Sequence, residues 1–112
     1  NAQVCGNARV CESSIICGNA EVLGNARVCG NTILSGNACV SSTNDYLCIG
    51  PIGSRDDRTT FYRTKDKGIW VKCGCFNNSI KEFKKEVKEV HKDTVYEKQY
   101  LTAIKLAKTK IK

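Results

Sequence analysis

A beat of six residues runs unbroken from Asn1 to Ser42: NAQVCG, NARVCE, SSIICG, NAEVLG, NARVCG, NTILSG, NACVSS. Seven hexads without an insertion leave few folds open, because the same local geometry must be satisfied at every repeat. The fourth position is always a branched aliphatic: Val4, Val10, Ile16, Val22, Val28, Leu34, Val40. The second is always small: Ala2, Ala8, Ser14, Ala20, Ala26, Thr32, Ala38. Asn at the first position and Gly at the sixth recur in most hexads, and both tolerate the backbone angles of a corner. Short strands joined by corners meet these requirements, with the aliphatic turned inward and its two neighbours outward.

The pattern resembles the hexapeptide repeat of left-handed β-helices, in which a small residue follows each inward aliphatic four positions later, as Ala8 follows Val4 and Ser14 follows Val10. That resemblance implies three hexads per triangular coil, or about 18 residues. The GNA-x-V wording is similar to that of small proteins of bacterial phages and mobile elements. The repeat likeness covers residues 1–42; a looser one extends to Thr59-Thr60-Phe61-Tyr62-Arg63 and Cys73-Gly74-Cys75-Phe76. With that coil length, one outer face shows Ile15, Cys17, Ile33 and Ser35. Two stacked isoleucines left in water forgo roughly 1.5–3 kcal/mol each, so this face is expected to be an oligomer interface. Seven hexads make only about two and a third coils, too few to bury a core alone. A homo-oligomer is therefore expected, a dimer or the trimer that the resemblance implies.

Hexad phase is lost after Ser42. Tyr46–Ile49 reads as a short strand, residues 50–58 as turn-rich, and Thr59–Thr64 with Ile69–Cys73 as a hairpin across Lys65-Asp66-Lys67-Gly68. Ser79 followed by Glu82, and Thr94 followed by Glu97, are capping boxes that open two helices. Their apolar stripes are Ile80, Phe83, Val87 and Val90, then Tyr96, Tyr100, Ala103, Ile104 and Ala107, the second helix running to about Lys110. The expected fold is mainly β plus α. A short left-handed parallel β-helix over 1–42 is followed by a small α+β cap, a β-hairpin and two helices, over 43–112.

The chain of 112 residues has a net charge of +7, and none of the excess lies in the repeats, where Arg9 and Arg27 balance Glu12 and Glu21. Residues 43–112 carry 16 Lys/Arg against 9 Asp/Glu, which points to an anionic partner or to a lysine-rich helical surface kept in solution. Five of the eight cysteines, Cys5, Cys11, Cys17, Cys29 and Cys39, occupy hexad positions that accept Leu, Ser or Ile elsewhere. They read as free thiols in a reducing cytoplasm, that of a bacterial host. No apolar run approaches the ~20 residues of a membrane span, and no secretory leader is visible. A chain that starts at Asn1, at the opening of a repeat, reads as a fragment, and any earlier repeats would be out of sight.

The resemblance implies acyl transfer as the first enzymatic idea, but enzymes similar to this fold rely on a histidine base and on many coils. The one histidine, His91, stands among lysines where a solvated side chain is expected. Cys73-Gly74-Cys75 has C-x-C spacing without a second pair, which suits packing better than zinc. No metal, cofactor or catalytic residue is expected. The segment from Gly50 into the hairpin is the candidate ligand site. Ser54, Arg55, Arg58, Thr59, Thr60 and Arg63 offer hydroxyls and guanidinium groups for phosphate oxygens, and Tyr62 and Trp70 offer rings for a base. Helix-turn-helix and zinc-finger patterns are absent, so specific DNA binding is not expected. The leading expectation is a non-enzymatic, oligomeric binding protein of phage or mobile-element type. It would capture a nucleotide-like signal or inhibit a host defence complex. The rivals are a structural assembly or display module and an acyltransferase relic.

Overall fold

The computed structural model describes residues 3–4, 6, 9–10, 15–16, 18–24, 26–28, 33–34, 36–53, 57–73 and 76–111, with the backbone alone at 9, 10, 15, 33, 43 and 57. Each described hexad contributes a two-residue strand at its third and fourth positions. These are β1 (Gln3–Val4), β2 (Arg9–Val10), β3 (Ile15–Ile16), β4 (Glu21–Val22), β5 (Arg27–Val28), β6 (Ile33–Leu34) and β7 (Cys39–Val40). Pairing is parallel and joins every third strand. Val4 is level with Val22 and Val22 with Val40, Val10 with Val28, and Ile16 with Leu34. The aliphatic columns expected from the hexad beat are therefore present. Ala20, Val22, Ala26, Val28, Leu34, Ala38 and Val40 are fully buried, whereas Val4, on the outermost rung, is 49% exposed. Corner glycines stack too: Gly18 has φ +65°, and a Cβ there would stand 2.9 Å from the Gly36 nitrogen. Positive φ and a backbone this close both call for glycine.

After a 3₁₀ turn at Thr43–Asp45 come β8 (Tyr46–Ile52), β9 (Asp57–Arg63), β10 (Ile69–Cys73) and β11 (Phe76–Ser79). They form one antiparallel sheet in the order β11-β10-β9-β8. The expected hairpin is β9–β10, with Tyr62 opposite Trp70 and Phe61 opposite Val71. Three strands differ from expectation. β8 continues through Gly50-Pro51 to Ile52, β9 starts at Asp57, and β11 was not foreseen. An edge strand tolerates Pro51 because its missing N–H removes no ladder bond on the solvent side. Helices α1 (Ile80–Val90) and α2 (Val95–Lys110) follow, with Ser79 Oγ and Thr94 Oγ1 accepting from the amides of Glu82 and Glu97 as N-caps. Val90, placed on the apolar stripe of α1 by its spacing, is 66% exposed.

Strand alternation on β9 decides how the parts meet. Phe61 turns to the helices, in a core with Val71, Phe83, Val87, Tyr100, Ala103, Ile104, Ala107 and Ile111. Tyr62 turns the other way and joins the alanines and valines of the repeats, with Tyr46 and Trp70 packed beside it. Tyr46, Tyr62 and Trp70 are lateral neighbours on three adjacent strands. One face of the sheet thus lies on the repeat core and the other on the helices. Further ties are an Ala38–Thr64 bridge, Lys65 N–H to the Asn37 carbonyl (2.9 Å), Tyr46 O–H to the Arg27 carbonyl (2.7 Å) and a Lys65–Glu21 ion pair (3.3 Å). No helix among the described residues is long and apolar enough to cross a membrane.

Candidate functional site

The residues expected to bind a ligand separate. Ser54 and Arg55 lie outside the described residues, as do Cys17 and Ser35 of the expected oligomer face. Ile15 and Ile33 are level partners on β3 and β6, and the description there is limited to the backbone. Arg58 is exposed near the start of β9. Thr59 and Thr60 are buried, and their hydroxyls are directed to sulfur: Thr59 Oγ1 to Cys73 Sγ at 3.3 Å and Thr60 Oγ1 to Cys48 Sγ at 3.7 Å. Tyr62 is 1% exposed and its O–H donates to Asn77 Oδ1 at 3.1 Å. These three side chains are internal, out of reach of a ligand in solution. Trp70 is half-buried on the repeat core. The stacking platform expected of Tyr62 and Trp70 is thereby corrected: the rings stack on the protein's own valines, because covering that core removes more apolar surface from water than an open shelf would.

Arg63, one residue further on, faces a different setting. Ser42 caps the 3₁₀ turn, accepting from the Asn44 amide at 3.0 Å, and this brings Asp45 back over the end of the repeats. The Asp45 carboxylate accepts from Ser41 N–H (3.0 Å), Ser41 O–H (3.0 Å), Ser42 N–H (3.2 Å) and Arg63 Nε (3.1 Å). Both ends of that ion pair are mostly covered, Arg63 with 19% and Asp45 with 15% of the side chain exposed. From the far end of the chain Lys110 reaches the Tyr46 carbonyl, and its ammonium stands 5.1 Å from the centre of the Tyr46 ring. Asn44, Asp45, Arg63, Thr109 and Lys110 together line a cleft of about 370 Å³.

Burial alone would raise the Asp45 pKa, but the hydrogen bonds from Ser41 and Arg63, with the Arg63 charge, outweigh it and hold the carboxyl below its ordinary value. Burial lowers the pKa of Lys110, and the nearby Asp45 charge only partly opposes this. The cleft therefore holds two cations and one carboxylate. Among the described residues only Nε of the Arg63 guanidinium has a partner, and its two terminal nitrogens are uncommitted donors. Such a setting holds an oxyanion by charge-assisted hydrogen bonds. His91 lies at the end of α1, partly covered and 5.3 Å from the Tyr100 ring. Cys39, Cys48 and Cys73 are free thiols.

Sequence reasoning found Arg63 and missed Asn44, Asp45, Thr109 and Lys110. Ser42 followed three residues later by Asp45 is itself a capping pattern, legible where the hexads end. Lys110 carries no local signal for a contact 64 residues away in sequence. With this geometry in hand, comparison with protein families finds that a model described as the YdcK beta solenoid repeat matches residues 2–18. Comparison with curated proteins and with solved structures gives no match. Over its opening coil the chain is similar to a β-solenoid repeat.

Proposed function

We propose that this chain is a non-enzymatic binding protein, built on a short left-handed β-helix, that uses the Arg63–Lys110 cleft to hold an anionic group of its ligand. The observation that carries the reading is Arg63: four-fifths covered, fixed through Nε to Asp45, and, among the described residues, with two terminal nitrogens uncommitted beside a second cation. A guanidinium fork preorganised in this way suits a phosphate or carboxylate better than a flexible surface lysine does. The ligand class is nucleotide-like, a phosphate with an attached ring system, and the action is capture or blockade in a bacterial cytoplasm. The likeness of the hexads to small phage and mobile-element proteins supplies that context. Self-association through Ile15, Cys17, Ile33 and Ser35 belongs to the same reading, and light scattering of Ile15→Asp with Ile33→Asp tests it by loss of oligomer mass.

The cleft is tested by thermal shift and calorimetry with inorganic phosphate, mononucleotides and cyclic dinucleotides. A bound anion at about 100-fold excess over its Kd should stabilise the fold by roughly 2.7 kcal/mol. Lys110→Ala and Arg63→Lys should each remove most of that gain, the second while keeping the charge. If none of these anions moves the melting temperature, the cleft reading fails.

A further inference from the structure

Helix α2 has a buried apolar face and a second, mixed one. One, with Tyr100, Ala103, Ile104 and Ala107, is buried. The other passes through Val95, Gln99, Thr102 and Leu106, a spacing that keeps one side of the helix. Its apolar ends stand in water, Val95 60% and Leu106 46% exposed. Ile49 and Ile52 of β8 form the opposite wall, and between them runs a groove of about 380 Å³. Two polar groups in its lining are engaged within the chain: Thr102 Oγ1 donates to the Lys98 carbonyl (2.8 Å), and Gln99 Oε1 accepts from Gly53 N–H (2.7 Å). Among the described residues lining the groove, Lys98 is the one that is charged. The helix itself is basic, with Lys98, Lys105, Lys108 and Lys110 against Glu97.

We propose that this groove docks an acidic amphipathic helix of a partner protein. From Val95 to Leu106 the helix rises about 16 Å, three turns, the length over which a guest helix presents apolar residues at i, i+4, i+7 and i+11. A guest strand fits less well. β8 is the edge of its sheet, but Pro51 has no N–H, and the β8–β9 register shifts between Ile49 and Ile52. That edge is an interrupted template for strand addition. Lys98 in the lining, on a helix whose lysines outnumber its one glutamate, attracts an acidic guest and repels a basic one. The groove and the Arg63 cleft share no residue, so either reading stands without the other.

The test uses the whole chain and a fluorescent peptide of about 14 residues, with leucine at those four positions and glutamate between them. Its lysine counterpart and vesicles of phosphatidylserine with phosphatidylcholine are the comparison probes. The acidic peptide should bind saturably, more weakly as salt rises, and at least about tenfold tighter than the lysine peptide. Leu106→Asp should weaken it at least about tenfold with an unchanged melting curve, since the side chain is exposed. Val95→Asp is the second variant, used if Leu106→Asp alters the melt. Equal binding of the two peptides, no binding of the acidic one, unchanged affinity in both variants, or binding to vesicles alone would each overturn the proposal.

Discussion

The carboxylate of Asp45 accepts from two backbone amides, a hydroxyl and a guanidinium, and each of these bonds favours the ionised form. Its pKa is below the ordinary carboxylate value in the folded chain, so the unfolded state takes up the proton first as pH falls. The stabilisation is complete above the unfolded value of about 3.9 and fades as pH falls through the lowered folded one. Asp45→Asn should cost about 1.5–3 kcal/mol at neutral pH, and the gap from the parent should shrink below about pH 4, read from urea midpoints. Lys110 titrates with the opposite consequence for binding. With its pKa below the ordinary lysine value, anion affinity in the cleft should fall at a lower alkaline pH than a free lysine would give. Gly53 is constrained on two counts: φ is +81°, and a Cβ would stand 1.8 Å from the Tyr100 hydroxyl. Gly53→Ala should therefore destabilise by about 1–3 kcal/mol or more in the same assay. The roles of Lys110 and Gly53 were not legible in the residue alone, because each depends on a partner distant in sequence; that of Asp45 was partly legible, since Ser41 and Ser42 are local and only Arg63 is distant.

At the scale of elements, what local chemistry specifies was legible, and what only tertiary pairing specifies was not. The hexad strands, the β9–β10 hairpin and both helices announce themselves through periodicity, turn residues and caps. β11 reads Phe-Asn-Asn-Ser, poor strand-forming sequence, and exists because β10 offers it a ladder from Trp70 to Cys73. β9 bears the greatest structural demand, since consecutive residues serve different cores. Phe61 makes an edge-to-face contact with Phe83 at 6.1 Å, so Phe61→Ala should cost about 3–5 kcal/mol. Thr94→Ala, which removes only the N-cap of α2, should cost about 1 kcal/mol. Chemical denaturation that ranked these two in the reverse order would mean the sheet–helix core matters less than the helix end.

For the molecule as a whole, the boundary at residue 42 separates two kinds of sequence but not two cores. The repeat valines and alanines share one buried cluster with Tyr62, and Tyr46 and Trp70 lie against it. The aromatic row was visible in the sequence, and its use was misjudged because a β-hairpin has two faces and only the assembled fold says which is covered. The chain has one tryptophan, and it stands at that junction while both helices stand on the far side of the sheet. If repeats and cap unfold as one unit, Trp70 fluorescence and helical circular dichroism should follow a single urea transition. Tyr62→Ala should move both signals together by about 3–5 kcal/mol, although Tyr62 lies on the sheet face opposite the helices. A variant whose fluorescence transition shifts while its helical signal stays in place would show that the sheet merely leans on the repeats, and that the end of the winding is closed by something else.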